Sequence, residues 1–368
     1  MTPTEAISRA EARLDALTGE ASPDLVRREE GGAVRCLACG HRCLIREGRR
    51  GICRVRSNQG GVLRVPRGYV GALQVDPVEK KPFFHALPGS RALSFGMLGC
   101  DFHCGYCQNW LTSQTLRDPE ALDDLREIPA AELVEAARRA GAPIVVSTYN
   151  EPLITAEWAV EVFREARAAG MLTGFVSNGN GTPEALAHLR PFADLYKVDL
   201  KGFRDATYRS LGGELRNVTE TIEHLRGMGF WLEVVTLLVP GLNDSDPEVR
   251  DLVRFVAGVS PDIPWHVTAF HPDYRMADRD ATTADLLLRA ADLGRGAGLR
   301  FVYPGNLPGR VGDGEDTRCP SCSRTLVRRL GFRVLEDLLT PSGGRCPCGA
   351  AIPGVWARPA APTGSSAR

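Results

Sequence analysis

The feature that most constrains the fold is an alternation of short apolar runs with longer amphipathic stretches, from about residue 91 to residue 303. The apolar runs predict β-strands and the amphipathic stretches predict α-helices. Strands are predicted over 91–97, 143–148, 172–177, 195–200, 231–239 and 265–270, with a weaker one over 299–303. Helices are predicted over 130–141, 155–170, 183–190, 218–229, 246–258 and 282–298.

Successive βα units of this kind predict an α/β fold with a parallel sheet. The sheet is either open and doubly wound, or a full or partial barrel of the triosephosphate isomerase type. In both architectures the functional residues gather at the carboxyl ends of the strands. Polar side chains that directly follow a strand are therefore the first candidates for a site.

Charge and hydropathy exclude several classes of protein. The chain has 45 basic and 45 acidic side chains, so no overall field attracts it to nucleic acid or to anionic lipid. No apolar run approaches the roughly 18 residues of a membrane helix, and the N-terminus is an acid-containing amphipathic segment rather than a signal peptide. We expect a cytoplasmic protein with no membrane or nucleic-acid partner.

Eleven cysteines are unusual for such a protein, because structural disulfides do not persist in a reducing cytosol. They fall into three groups, for which metal binding is the simplest explanation. The groups are Cys36, Cys39, Cys43 and Cys53 at the front, Cys100, Cys104 and Cys107 in the middle, and Cys319, Cys322, Cys346 and Cys348 near the end.

The middle group directly follows the first predicted strand and has the spacing Cys-x3-Cys-x2-Cys. Structural zinc needs four protein ligands, and His103 is the one nearby residue that would complete such a site. A 4Fe-4S cube held by three cysteines instead keeps one iron free for another ligand. The absent fourth thiol favours the cube.

The outer groups each contain four thiols. The front spacing is compatible with zinc or with a second iron-sulfur cluster, and we favour zinc because a metal staple suits a region with little core. The end group begins like a zinc ribbon or rubredoxin site, but its second half, "CPC", is one residue shorter than the usual Cys-x2-Cys. Zinc is predicted there, with redox-active thiols as the alternative.

The Cys-x3-Cys-x2-Cys motif, with Tyr106 before its last cysteine, resembles the signature of the radical S-adenosylmethionine (SAM) enzymes. Over residues 33–356 the chain resembles the AmmeMemoRadiSam radical SAM enzymes, which are similar to pyruvate formate-lyase activating enzyme. The motifs that carry this resemblance are the front cysteines, "VDPVEKKPFFHALPGS", "YNEP", "SNGN", "VDLKG", "HPDY", "YPGN" and "IPGVW".

The resemblance implies a radical SAM barrel in which the amino and carboxylate groups of SAM bind the open iron of the 4Fe-4S cluster. One electron then cleaves SAM to methionine and a 5'-deoxyadenosyl radical, which abstracts hydrogen from a substrate. It also implies a flavodoxin or ferredoxin as electron donor and a protein or small molecule as substrate.

The resemblance further assigns roles to residues after the later strands. Glu151 is expected to accept from the SAM ammonium, and Ser177 and Asn178 to contact its ribose or carboxylate. Asp199, Lys201 and His271 would lie near the cofactor or substrate, and Val239 against adenine. The plainer alternatives are a helix-capping acid at Glu151, a turn at 177–178, an ion pair between Asp199 and Lys201, and a structural His271.

Two readings of "EKKPFFH" also remain open, because Lys80 or Lys81 could face the site or simply form a basic turn before a buried aromatic pair. The predicted organisation is an N-terminal helix and four-cysteine region (1–90), a barrel core (91–305), a zinc-ribbon or rubredoxin-like segment (306–356) and a disordered tail (357–368). The leading hypothesis for function is a radical SAM oxidoreductase resembling the activating enzymes. The alternative is a catalytically silent, zinc-stabilised barrel that serves as a binding scaffold.

Overall fold

The computed structural model describes residues 3–121 and 125–358. Most of the predicted disordered tail, from residue 359 onward, lies outside the described residues. Among the described residues, no helix has the length and apolar character needed to cross a membrane.

The N-terminal region is built from one helix and short antiparallel strands. Its strands β1, β5 and β6 form one three-stranded sheet, and β2, β3 and β4 form another. The front cysteines lie in and around the second of these sheets. The elements of this region are α1 (Pro3–Ala16), β1 (Thr18–Glu20), β2 (Val26–Arg28), β3 (Val34–Cys36), β4 (Leu44–Ile45), β5 (Ser57–Gln59), β6 (Val62–Pro66), β7 (Tyr69–Val70) and β8 (Ala72–Pro77).

The core is an eight-stranded sheet with helices between its strands. Its strands are β8, β9 (Arg91–Gly96), β11 (Ile144–Ser147), β12 (Leu172–Ser177), β13 (Leu195–Asp199), β14 (Trp231–Leu238), β15 (Trp265–Ala269) and β16 (Val302–Gly305), while β10 (Arg126–Glu127) pairs with β7. Its helices are α2 (Trp110–Ser113), α3 (Ala130–Arg139), α4 (Ala156–Ala168), α5 (Pro183–Leu189), α6 (Asp205–Leu211), α7 (Leu215–Gly227), α8 (Asp246–Val259) and α9 (Ala284–Gly296).

The strands from β9 to β16 run parallel in chain order, and β8 joins β9 antiparallel at one edge. No ladder joins β8 to β16 within the described chain, so the sheet is a partial barrel. The predicted α/β fold class of the radical SAM type is therefore confirmed. All the predicted core strands and helices are present within a few residues of their predicted bounds.

Burial explains why these segments were recognisable. All four residues of β11 are buried, as expected for a parallel strand covered on both faces. Helix α4 turns Trp158 and Phe163 inward and exposes Arg164. Trp158 meets Phe95 of β9 edge-on, with ring centroids 5.3 Å apart, so the helix is fixed to the sheet by aromatic packing.

The C-terminal region is a small antiparallel sheet of β17 (Thr317–Arg318), β18 (Thr325–Leu330) and β19 (Arg333–Asp337). It attaches to the core through buried polar contacts. The hydroxyl groups of Tyr303 and Thr317 lie 2.9 Å apart, and His85 Nε2 lies 2.6 Å from the Tyr303 hydroxyl. These contacts join β16, β17 and the segment before β9.

Candidate active site

A cavity of about 560 Å³ lies at the carboxyl ends of the parallel strands. It brings together every candidate residue of the core except Val239. The lining candidates are Cys100, Cys104, Cys107, Tyr106, Glu151, Ser177, Asn178, Asp199, Lys201 and His271. Val239 is fully buried in the hydrophobic core, and Val235 and Leu237 of β14 line the cavity instead. The contact of Val239 with adenine stays a prediction.

The three-cysteine loop connects β9 to α2. Its thiols are free of disulfide bonds, and Cys107 Sγ lies 3.2 Å from the Ser113 hydroxyl. Burial raises the pKa of Cys104 to about 11 and also raises the pKa of Cys107. Such thiols favour the neutral form, unless a metal centre stabilises the thiolate.

The donor set fits an iron-sulfur cluster better than a zinc ion. His103 packs against Gly212 at the end of α6, and its backbone N–H donates to the Leu211 carbonyl at 3.0 Å. It does not line the cavity, so His103 is not placed to serve as the fourth zinc ligand. Three cavity-facing thiolates with one open position match the needs of a cube.

A buried carboxylate, Asp101, ties the cysteine loop to the loop after β12. Asn178 Nδ2 donates to Asp101 Oδ1 at 2.7 Å, and Asn180 Nδ2 donates to Oδ2 at 2.8 Å. Asp101 has no exposed surface. Sequence reasoning missed its role, although an acid between two cysteines of the motif was a visible signal.

Glu151 is a buried acceptor behind the cysteine loop. It accepts from the backbone N–H of Leu153 at 3.0 Å, from that of Asn178 at 2.6 Å, and from the Ser177 hydroxyl at 2.8 Å. Burial, with the charge of Asp101 next, raises the pKa of Glu151 to about 8. A nearby ammonium would offset the cost of burying the ionised carboxylate. The hydrogen bond from Leu153 also caps the short helix that follows, as the plainer alternative for Glu151 expected.

Alternate residues of β13 and the segment after it point in the same direction. Asp199 contacts the ammonium group of Lys197, and Lys201 Nζ lies 3.4 Å from Asp199 Oδ2. Burial alone would raise the pKa of Asp199, but the two lysine charges outweigh it and hold this pKa below its usual value. Lys197 was not predicted, although the period of two along a strand places it with Asp199 and Lys201.

The cavity wall also includes His271 and Lys81. His271 Nε2 lies 2.9 Å from Gln108 Nε2, which follows the last cysteine of the loop. Lys81, from the "EKKPFFH" segment, lines the cavity and donates to the Tyr149 hydroxyl at 3.1 Å. The aromatic pair of that segment, Phe83 and Phe84, is buried, so both features of the segment are present.

Comparisons with known proteins identify the family. A profile of the radical SAM superfamily matches residues 96–255, which contain the three-cysteine loop and most of the cavity wall. An uncharacterized protein of Methanocaldococcus jannaschii is 37% identical to this chain over 322 residues. The alignment covers 87% of this chain and 95% of the Methanocaldococcus protein.

Residues 96–255 of this chain are a radical SAM domain.

Two more distant likenesses are to activating enzymes. This radical SAM chain is 23% identical over 173 residues to the isethionate sulfite-lyase activating enzyme of Oleidesulfovibrio alaskensis, covering 45% of this chain and 55% of that enzyme. It also resembles the crystal structure of a domain of pyruvate-formate lyase-activating enzyme from Bacteroides vulgatus. That match has a TM-score of 0.40 and 14% identity and covers 44% of this chain and 98% of the domain.

The end cysteines of this radical SAM chain converge on one point. Cys319 Sγ and Cys348 Sγ lie 3.7 Å apart, Cys322 Sγ and Cys346 Sγ lie 3.6 Å apart, and all four sulfurs lie within 4.8 Å of one another. With Zn–S bonds of about 2.3 Å, the edge of a tetrahedral zinc site is about 3.8 Å. The shortened "CPC" spacing therefore does not prevent the four thiols from forming a closed tetrahedron.

The front cysteines of this radical SAM chain behave differently. Their thiols lie close enough to interact electrostatically. Cys39 interacts with Cys36 and Cys53, and Cys43 interacts with Cys36. Among the described residues, however, no three of these sulfurs lie within 4.8 Å of one another.

Proposed function

We propose that this chain is a radical SAM oxidoreductase similar to the activating enzymes, and that it is a member of the AmmeMemoRadiSam group. The observation that carries the proposal is the convergence of three free thiols in one cavity with polar residues from the successive strand ends, with no fourth cysteine among the described residues that line it. When bound, a reduced 4Fe-4S cluster supplies the electron that cleaves SAM to a hydrogen-abstracting radical.

The chain's own residues would hold and orient the cofactors. Cys100, Cys104 and Cys107 would bind the cluster, and Asp101 fixes the loop that carries them by accepting from two asparagine amides. Glu151 is available to accept from the SAM ammonium, because within the described part of the chain the donors to its buried carboxylate are two backbone N–H groups and a hydroxyl, and none is a positive side chain.

The cavity wall also carries positive charge, at Lys197 and Lys201 among others. Lys201 would pair with an anionic group such as the SAM carboxylate, and Asp199 would hold Lys201 charged and directed into the cavity. Ser177 and Asn178 would position the ribose or carboxylate, Tyr106 would pack beside the cofactor, and His271 would contact cofactor or substrate at the mouth. In this assignment Glu151 accepts from the amino group of SAM, and Lys201 donates to its carboxylate.

The substrate is proposed to be a protein or small molecule, and a protein is favoured by the similarity to activating enzymes. The electron donor is proposed to be a flavodoxin or ferredoxin, since the cluster must be reduced before it acts. We place the enzyme in the cytoplasm, where such donors occur, and propose that the end cysteines hold zinc.

The test is production of 5'-deoxyadenosine. The protein is isolated without oxygen, its clusters are reconstituted, SAM and dithionite are added, and the nucleoside is measured by mass spectrometry. The control is the triple variant Cys100→Ala, Cys104→Ala, Cys107→Ala. The second control is Ser321→Ala. Ser321 is exposed and lies between Cys319 and Cys322, away from the cavity, so this variant should retain full activity.

The proposal predicts product from the intact chain and from Ser321→Ala, and none from the triple variant. If the intact chain carries a reduced cluster but neither forms product nor changes its electron paramagnetic resonance (EPR) spectrum on addition of SAM, the proposal is wrong. That result would support the binding-scaffold alternative. A SAM-dependent spectral change without product would point to cleavage that waits for the substrate.

A further inference from the structure

The front cysteines are not used by the proposed reaction, yet Cys36, Cys39 and Cys53 are each at most 6% exposed. Three buried thiols and the half-buried Cys43 in one region need a binding partner to explain them, because the cysteines are free of disulfide bonds. Their geometry gives an indication of what that partner is.

The structure contains an internal comparison. The end cysteines lie at the spacing of a single tetrahedral ion, with two Sγ–Sγ distances of 3.7 and 3.6 Å. Neither the front four nor the three-cysteine loop has three sulfurs within 4.8 Å of one another. In a cube each cysteine binds a different iron, so the sulfurs must stand farther apart than around one ion. The sulfurs of the front group, like those of the cluster loop and unlike those of the end group, are therefore not at the spacing of a single ion.

The surroundings of the front thiols suit an anionic cluster. Arg56, only 1% exposed, places Nη1 3.3 Å from Cys36 Sγ and also forms an ion pair with Glu157. The backbone N–H of Ile52 donates to Cys43 Sγ at 3.5 Å. A buried cation and N–H···S bonds stabilise cluster thiolates and tune their reduction potential.

The front group also packs directly on the cluster loop. Gly99, which precedes Cys100, lies so close to the front region that an added Cβ would stand 3.1 Å from the Cys53 carbonyl oxygen. Arg117 joins the two regions, because Nη1 donates to the Phe102 carbonyl at 2.9 Å and Nη2 to the Ile52 carbonyl at 2.6 Å. A redox centre at the front would therefore adjoin the loop that holds the first cluster.

We propose that Cys36, Cys39, Cys43 and Cys53 hold a second iron-sulfur cluster that exchanges single electrons with the cluster of the three-cysteine loop. One electron enters the front group from a one-electron donor protein of the ferredoxin or flavodoxin class, and the same electron passes on to the neighbouring cluster. No bond is formed or broken, and no proton is required. This site goes beyond the proposed function, which needs only one cluster.

Metal content tests the site. Iron, sulfide and zinc are measured per chain after anaerobic reconstitution of the full chain and of three variants. The variants remove the loop (Cys100→Ala, Cys104→Ala, Cys107→Ala), the front group (Cys39→Ala, Cys53→Ala) or, as a matched control, the end group (Cys319→Ala, Cys348→Ala). Two 4Fe-4S clusters would give about eight irons in the intact chain. The loop and front variants should each lose half of the iron, and the control should lose zinc alone.

A loop variant without iron, or with a second zinc in its place, would overturn the proposal. Because that variant leaves the front region intact, it decides the question even if the front variant does not fold. This result is also independent of the proposed function. A loop variant that keeps half the iron, beside an intact chain that neither makes 5'-deoxyadenosine nor changes its EPR spectrum on addition of SAM, would sink the proposed function and preserve this site.

Electron exchange is tested by EPR of the fully reduced protein. Two neighbouring paramagnetic clusters should broaden each other's signals, so the intact chain should differ from the sum of the loop and front variants. A spectrum equal to that sum would show two clusters without magnetic contact and would overturn the relay.

Discussion

Single residues decide how the cavity is fixed, and Asp101 shows this most directly. The carboxylate uses one oxygen for each of two asparagine amides, from Asn178 and Asn180, and is fully buried. In Asp101→Asn one acceptor becomes a donor that faces another donor. We expect this variant to lose about 2 kcal/mol in free energy of unfolding.

Denaturant unfolding of the metal-free chain measures this loss. Asp278→Asn makes the same chemical change at an exposed position and should alter stability by less than about 0.5 kcal/mol. Equal stabilities of the two variants would contradict the network described at Asp101.

Glu151 predicts a pH dependence of stability. Its pKa is raised from 4.5 to about 8 in the folded chain, so the folded state holds the proton more tightly than the unfolded state. Its contribution to stability is therefore full below about pH 4.5 and is lost as pH rises toward 8. Glu151→Gln cannot titrate and should remove this part of the slope.

The measurement is the difference in unfolding free energy between the intact metal-free chain and Glu151→Gln across this range. We expect the difference to change by roughly 2 kcal/mol or more in favour of the variant as pH rises. If the unfolding free energies of the two proteins change with pH in the same way, then Glu151 has an ordinary pKa and is accessible to water in solution.

The sequence allowed the candidates to be placed together at one end of the sheet because they directly follow strands, and the cavity wall contains them with the exception of Val239. Asp199 and Lys201 follow the period of two, and that period should also have revealed Lys197. Asp101 was missed for a different reason, since its partners Asn178 and Asn180 lie about 77 and 79 positions away in the chain. Sequence spacing does not report contacts at that separation.

At the scale of elements, the parallel strands were predictable because each is buried on both faces and reads as an apolar run. The last strand was displaced, from the expected 299–303 to Val302–Gly305, because Pro304 and Gly305 carry little strand signal. Helix α6 was not predicted, since its seven residues bury only Thr207, Tyr208 and Leu211. About two turns of largely polar composition give little periodicity.

The four end sulfurs lie together beside the C-terminal sheet, and we expect a zinc ion bound there to stabilise that sheet. Cys346 is 3% exposed and belongs to the four-sulfur site, so Cys346→Ser should abolish bound zinc and lower the melting temperature of this region. Zinc per chain and limited proteolysis of the C-terminus check this. Ser321→Ala, in the same loop but without a sulfur ligand, should keep its zinc, and loss of zinc from both variants would contradict the assignment.

At the scale of the whole molecule, Arg329 fastens the C-terminal sheet to the core. Its guanidinium donates to the Phe84 carbonyl at 2.8 Å and to the Thr317 hydroxyl at 2.8 Å, and it lies 3.6 Å from Glu79. Arg329→Met leaves the Glu79 carboxylate buried without its cation and should cost about 3 kcal/mol or more.

The matched control is Arg328→Met on the same strand, whose side chain is 57% exposed. It should change stability by less than about 1 kcal/mol. Denaturant unfolding followed by tryptophan fluorescence compares the two variants, and similar losses would show that the strand, rather than the buried contacts, determines the effect.

Gly99 lies where the N-terminal region packs closely against the core. Its φ is +88°, and an added Cβ would lie 2.6 Å from Val55 Cγ1. Gly141 has a φ of +64° with nothing within 4 Å of its added Cβ, so alanine there meets only the backbone strain. Gly99→Ala should therefore destabilise the chain by about 1–3 kcal/mol more than Gly141→Ala.

Iron retention gives a second readout for this pair. Gly99→Ala should bind less iron than Gly141→Ala because the clash displaces the residue that precedes Cys100. Equal iron contents with unequal stabilities would show that the front region supports the fold but does not shape the cysteine loop.

The cavity wall is drawn from distant parts of the chain, since Lys81 comes from before the first parallel strand and Phe332 from the last hairpin. During synthesis on the ribosome, the cysteine loop therefore emerges long before the residues that close the wall around it. A cluster-delivering partner would reach the loop most easily during this interval. Slower translation between the barrel and the final hairpin would lengthen it and should favour loading of the nascent chain.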